Sequence, residues 1–110
     1  MTVVLTKQPP YLSEVVSRIV QKFHPQKIIL FGSWARGEAR EDSDLDLLVV
    51  LPRAEHTRNA AIQIGNSLSN LPISKDIIVA TPEEIEKYGS TVGSILLPAV
   101  TEGKVIYESR

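Results

Sequence analysis

Leu12, Val15, Val16, Ile19, Val20 and Phe23 recur at intervals of three and four along the chain. That spacing is the apolar stripe of an amphipathic helix. Ser13, Glu14, Ser17, Arg18, Gln21 and Lys22 fill the other face, so the pattern predicts a helix over Tyr11–Phe23. His24-Pro25 ends it, because a residue before proline avoids the helical region. Three short apolar runs follow: Ile28–Phe31, Leu45–Leu51 and Ile77–Ala80. Each leads into a turn or cap signal, Gly32-Ser33, Pro52 and Thr81-Pro82 respectively. Continuous aliphatic runs of this length predict strands buried on both faces. Between the second and third runs, Ala61, Ile64, Leu68 and Leu71 stand at helical spacing. Thr81-Pro82-Glu83-Glu84 reads as a helix start, with Thr at the N-cap, Pro at the first position and Glu at the third. Ser94–Thr101 is expected to form a further short helix with Pro98 in its first turn, ended by Gly103, and Val105–Glu108 a last strand. Strands alternating with helices predict an α/β fold in which helices flank a small sheet.

Length and composition narrow the picture. A chain of 110 residues is expected to be one domain over 1–110, with 1–10 an N-terminal arm closed by Pro9 and Pro10. A catalytic domain with a separate substrate domain does not fit that length, so part of any substrate site is expected from another molecule. The formal net charge of −1 supplies no global positive field, and direct nucleic-acid binding is not expected. The absence of cysteine excludes disulfides and thiolate zinc sites and fits a cytoplasmic setting. No apolar run approaches the roughly 20 residues of a membrane span. The first residues lack the charged start and apolar stretch of a secretory signal.

The candidate chemistry lies between Gly32 and Asp46. Gly32 and Ser33 follow a buried strand and open a short helical turn. Free N–H groups at such a start, with the Ser33 hydroxyl, can receive a phosphate, and Arg36 one turn on can add a guanidinium. Taken alone, the pair reads as a strand-to-helix turn with a capping serine; the residues that follow are what favour a phosphate. Asp44 and Asp46 alternate at the head of an apolar strand and therefore share a face. Two carboxylates there can hold one or two Mg²⁺ ions. A solvated acidic turn accounts for Asp42 but not for Asp46, which stands between Leu45 and Leu47. A carboxylate buried there needs a partner or a metal. Asp76, heading the third run, joins the other two if the strands are neighbours; otherwise it is a polar strand start beside Lys75. A calcium loop is excluded because its required Gly and Glu positions hold Leu47 and Arg53. A Walker phosphate loop is excluded because no Gly-Lys-Ser/Thr follows Gly32. His24 and His56 have no metal-ligand spacing.

The run Gly32-Ser33, Ala35-Arg36-Gly37, Arg40 and Ser43-Asp44-Leu45-Asp46-Leu47, with Asp76 on a later strand, resembles the signature of the minimal nucleotidyltransferases of the DNA polymerase β-like superfamily. The closing Glu102-Gly103-Lys104-Val105-Ile106-Tyr107 resembles the common end of these small proteins. The resemblance implies a small mixed β-sheet with flanking helices. It implies that Gly32 and Ser33 hold the triphosphate of ATP, with Arg36 and Arg40 as phosphate contacts. Asp44, Asp46 and Asp76 become the catalytic carboxylates and the ligands of Mg²⁺. Trp34 occupies a variable position and is assigned no role; an exposed tryptophan there could meet a partner, although such a residue more often packs locally. By the same resemblance the protein is an antitoxin that adenylylates a tyrosine of a HEPN-domain toxin. A non-catalytic antitoxin acting by occlusion, or a subunit modifying a small molecule, would be the alternatives.

Overall fold

A computed structural model describes residues 8–109. The expected N-terminal arm lies outside the described residues except for its last three. The elements in chain order are α1 (Leu12–Phe23), β1 (Lys27–Phe31), α2 (Ser33–Arg36), β2 (Leu45–Val50), α3 (Thr57–Ser67), β3 (Lys75–Ala80), α4 (Pro82–Tyr88), α5 (Leu96–Glu102) and β4 (Lys104–Glu108). The strands form one sheet in the order β3-β2-β1-β4. β1 is antiparallel to both β2 and β4, and β2 is parallel to β3. The sheet is therefore mixed, as expected, and α3 serves as the crossover that a parallel β2/β3 pair requires.

Alternation along the strands sends successive side chains to opposite faces. On one face Ile28, Leu30, Leu47 and Val49 pack against Val15 and Ile19 of α1 and Ile64 of α3. On the other, Ile29, Phe31, Leu48, Val50 and Ala80 pack against Leu96 and Ala99 of α5. β1 and β2 are central, and apart from Lys27 and Asp46 their residues are all buried, which matches the expectation from their apolar runs. β3 departs from it. It is an edge strand with one neighbour, and Lys75–Ile78 are exposed or half-buried while Val79 and Ala80 are buried.

Two helix boundaries also differ from the pattern. α1 begins at Leu12 because Tyr11 takes a left-handed conformation at the N-cap. α3 ends at Ser67, since the chain tightens into turns with Leu68 N–H bonded to Gly65 O and Leu71 N–H to Leu68 O. Leu71 is therefore outside the helix yet still packs on the first core. The capping box of α4 is present in full: Thr81 Oγ1 accepts from Glu84 N–H, and the Glu84 side chain accepts from Thr81 N–H. Pro98 stands third in α5, within the first turn, as expected. No helix among the described residues is long and apolar enough to cross a membrane.

Candidate functional site

The site begins where β1 ends. Gly32 has φ 75° and ψ −155°, a combination essentially restricted to glycine. It turns the chain into α2, a single turn whose Ala35 and Arg36 amides both donate to Gly32 O at 3.1 Å. A side chain at Gly32 would also be blocked sterically: its Cβ would meet the carboxylate of Asp46, with Cγ at 3.0 Å. The bare glycine is what lets the acid lie against the turn.

Asp46 is placed by the sheet. On β2 it pairs with Phe31 of β1 on one side and with Asp76 of β3 on the other. Paired residues on neighbouring strands point to the same face, and so does a residue two positions along. Asp44, just before β2, therefore shares the face of Asp46 and Asp76. Leu45 N–H donates to Ser74 O at 2.9 Å, which fixes the start of β2 beside β3.

The loop between α2 and β2 is closed on itself. Arg40 N–H donates to Ser43 Oγ at 2.8 Å, and Ser43 N–H to Arg40 O at 3.0 Å. Trp34 is buried, 8% exposed, and its indole Nε1–H donates to Ser43 O at 3.3 Å. That bond ties α2 to the residue preceding Asp44. Trp34 is thus a local packing residue and not an exposed contact surface, and it also links the glycine turn to the carboxylates.

The resulting open cleft, about 410 Å³, is lined among others by Gly32, Ser33, Arg36, Asp44, Asp46 and Glu102. Burial holds the Asp46 carboxyl above its ordinary pKa, and the nearby charges of Asp76 and Asp44 push it in the same direction. The Arg36 guanidinium opposes them weakly. Arg36 itself donates from Nε to Glu38 Oε1 at 2.8 Å, and its Nη1 lies 3.6 Å from Glu102 Oε2. The hydrogen bond with Glu38, then the two negative charges, hold its pKa above the usual arginine value.

The structure therefore gathers Gly32, Ser33, Arg36, Asp44 and Asp46 around one cleft, with Asp76 directly beside Asp46 on the ladder. Arg40 is exposed and does not line the cleft; the turn closed by Ser43 carries it outward. Glu102 is a lining residue whose place at the cleft the sequence did not disclose, because it arrives from the far end of the chain on α5. A larger groove of about 730 Å³ lies by Pro52 and Thr81, at the opposite ends of β2 and β3. It lacks the glycine turn and the aspartate set, so size does not mark the site.

The donor set bears on a metal. Three carboxylates on one face are hard oxygen ligands suited to Mg²⁺, and a cation there would relieve the repulsion that raises the Asp46 pKa. Among the described residues no group of three or more His, Cys, Asp or Glu is placed so that it could hold a metal ion. The oxygen chemistry of these residues fits a divalent cation.

Residues 12–100 match the nucleotidyltransferase domain family, and the chain belongs to it. It is 36% identical over 91 residues to a Methanocaldococcus jannaschii protein named "Putative protein adenylyltransferase MJ1305", covering 78% of this chain and 52% of that protein. The chain spans about half the length of the curated relatives it matches. Its fold is similar to that of the toxin–antitoxin MntA-HpeT, with a TM-score of 0.63 at 19% identity over 89% of this chain and 73% of that one. A toxin–antitoxin structure with AMP-PNP matches with a TM-score of 0.61 at 20% identity, over 90% and 75% of the two chains. At such identities the likeness establishes the fold.

Proposed function

We propose that this domain transfers AMP from ATP, with Mg²⁺, onto a tyrosine hydroxyl of a HEPN-domain toxin and so acts as its antitoxin in the cytoplasm. The observation that carries this reading is the direct pairing of Asp46 with Asp76, with Asp44 on the same face, against the Gly32-Ser33 turn. The name of the M. jannaschii relative supports a protein acceptor. The two toxin–antitoxin neighbours, one with AMP-PNP, support the partner class and the nucleotide. The length of the chain does not choose the acceptor, because it spans only part of its relatives.

In this reading Asp44, Asp46 and Asp76 would hold Mg²⁺, which supplies positive charge to offset the charge developing on the phosphoryl oxygens. The N–H groups of the Gly32-Ser33 turn and the Ser33 hydroxyl bind the outer phosphates, and Arg36 adds a guanidinium to them. The acceptor oxygen attacks the α-phosphorus and forms a new O–P bond. The bond from the α-phosphorus to the bridging oxygen of the β-phosphate breaks, and pyrophosphate leaves with that electron pair. The proton of the acceptor passes to the carboxylate of Asp76, which is exposed on the edge strand and open to an incoming hydroxyl. Arg40 is left out of this arrangement.

The reading is tested by incubating the HEPN partner with the protein, ATP and Mg²⁺ and weighing the partner by intact mass spectrometry. An AMP adduct that disappears with Asp44→Asn or Asp46→Asn supports it. Inhibition of the toxin without an adduct, unchanged by those substitutions, would replace it with occlusion. Transfer to a small hydroxylated acceptor instead would replace the protein acceptor.

A further inference from the structure

Among the described residues that line the cleft, Arg36 is the one cation. Its guanidinium is engaged on two sides by carboxylates, Glu38 at Nε and Glu102 at Nη1. Glu38 belongs to the same turn. Glu102 belongs to α5, which is anchored by Leu96 and Ala99 against Ile29 and Phe31 of β1. Pro98 and Glu102, one helical turn apart, both face the cleft. The Glu102 carboxylate is thus presented to Arg36 by a packed helix and not by a floppy terminus.

Two consequences act in the same direction. A guanidinium N–H directed at a carboxylate is not available to a phosphate. A further negative charge in a cleft already lined by Asp44 and Asp46 also opposes a triphosphate. The contact is built to be broken. At 3.6 Å, with the two side chains 40% and 41% exposed, it is a weak solvent-accessible pair, whereas a phosphate offers Arg36 more charge and a bidentate fit.

We propose that Glu102 is an internal competitor for Arg36: it holds the guanidinium while the cleft is free of nucleotide and yields it to the phosphates of ATP. It then retakes Arg36 as pyrophosphate departs, which favours release of that product. This rests on the nucleotide site proposed above and adds a regulatory residue to it.

The test is calorimetric titration with ATP and Mg²⁺ of four proteins: the unmodified chain, Glu102→Gln, Arg36→Ala and the double variant. Glutamine keeps the shape of the side chain and removes its charge. Glu102→Gln is expected to bind ATP about two- to fivefold more tightly, the weight of one exposed ion pair. In the Arg36→Ala background the same change is expected to have a clearly smaller effect, because only the general repulsion by Glu102 remains to be removed. Unchanged or weaker binding by Glu102→Gln overturns the proposal. Equal tightening with and without Arg36 overturns it too, since that would be general repulsion and not competition for the guanidinium. If the unmodified chain binds ATP and only the Glu102 effect is missing, the transferase reading stands alone. If none of the four binds ATP, both fail.

Discussion

Asp46 and Asp76 occupy directly paired positions on adjacent parallel strands, so two carboxylates face the same side of the sheet. Nothing in the packing favours this. Burial and the neighbouring acids hold the Asp46 carboxyl above its ordinary pKa, so its charged form is less favourable in the fold than in the unfolded chain. Such a cost is the usual mark of a site kept for chemistry.

Neutralising that charge is therefore expected to stabilise the apo protein. A carboxyl whose folded pKa exceeds its unfolded one contributes stability that is full below the unfolded value, near 3.8, and lost as pH rises through the folded value. Asp46→Asn removes this dependence. Thermal unfolding followed upward from about pH 4 should show the variant gaining on the unmodified chain, by about 0.5–2 kcal/mol at neutral pH, the range of a single stabilising change. Mg²⁺ should raise the melting temperature of the unmodified chain and leave that of the variant nearly unchanged. A variant less stable at neutral pH would contradict the electrostatic account.

The glycine turn gives a second prediction. Gly32 and Gly37 both have positive φ, 75° and 77°, but their surroundings differ. An added Cβ at Gly32 meets Asp46, whereas at Gly37 it meets nothing within 4 Å. Gly37→Ala should cost about 1–2 kcal/mol, the penalty of the left-handed conformation. Gly32→Ala should cost more, by at least about 1 kcal/mol, and should also abolish nucleotide binding. Denaturant unfolding of both variants, with ATP titration of each, checks the ranking.

Trp34 supplies the third. Trp34→Phe keeps an aromatic ring in the core but deletes the indole hydrogen bond to Ser43 O. Loss of that bond should cost about 1 kcal/mol. It should also free the segment from Arg40 to Asp44, so amide exchange is expected to rise there and remain unchanged in α1 and α3. Exchange that rises uniformly would mean the bond serves only global stability.

A control lies at the other end of the sheet. Thr81→Ala removes the N-cap of α4 and its capping box, at a cost of about 1 kcal/mol. Because Thr81 adjoins the groove remote from the aspartates, ATP affinity should be unaltered. A change in affinity would show that α4 communicates with the cleft.

Much of this site was legible in the chain because its residues break a pattern. Asp46 interrupts the one run, Leu45–Leu51, that is otherwise aliphatic throughout, and no surface turn accounts for it. The heads of the central strands were legible for the same reason, since burial on both faces leaves no polar alternation. Less visible was anything set by neighbours distant in sequence. The half-exposed β3 has the composition of a buried strand, and only its place at the sheet edge explains the difference. Leu71 keeps the helical spacing of α3 but falls beyond its end, because packing on the core can be met from a turn as well as from a helix. Arg40 belongs to the family pattern, yet the Ser43 turn points it outward. Glu102 was legible only as part of the closing family pattern, since its place at the cleft depends on α5 folding back onto β1.

The fate of the phosphorus atoms decides whether this domain transfers AMP. The proposed HEPN partner is incubated with the protein, Mg²⁺ and ATP labelled either at the α- or at the γ-phosphate. Label is expected on the partner from α-labelled ATP alone, with pyrophosphate released in equal amount and neither product formed by Asp46→Asn. Transfer of the γ-label, or α-label transfer that survives Asp46→Asn, would contradict AMP transfer by this site.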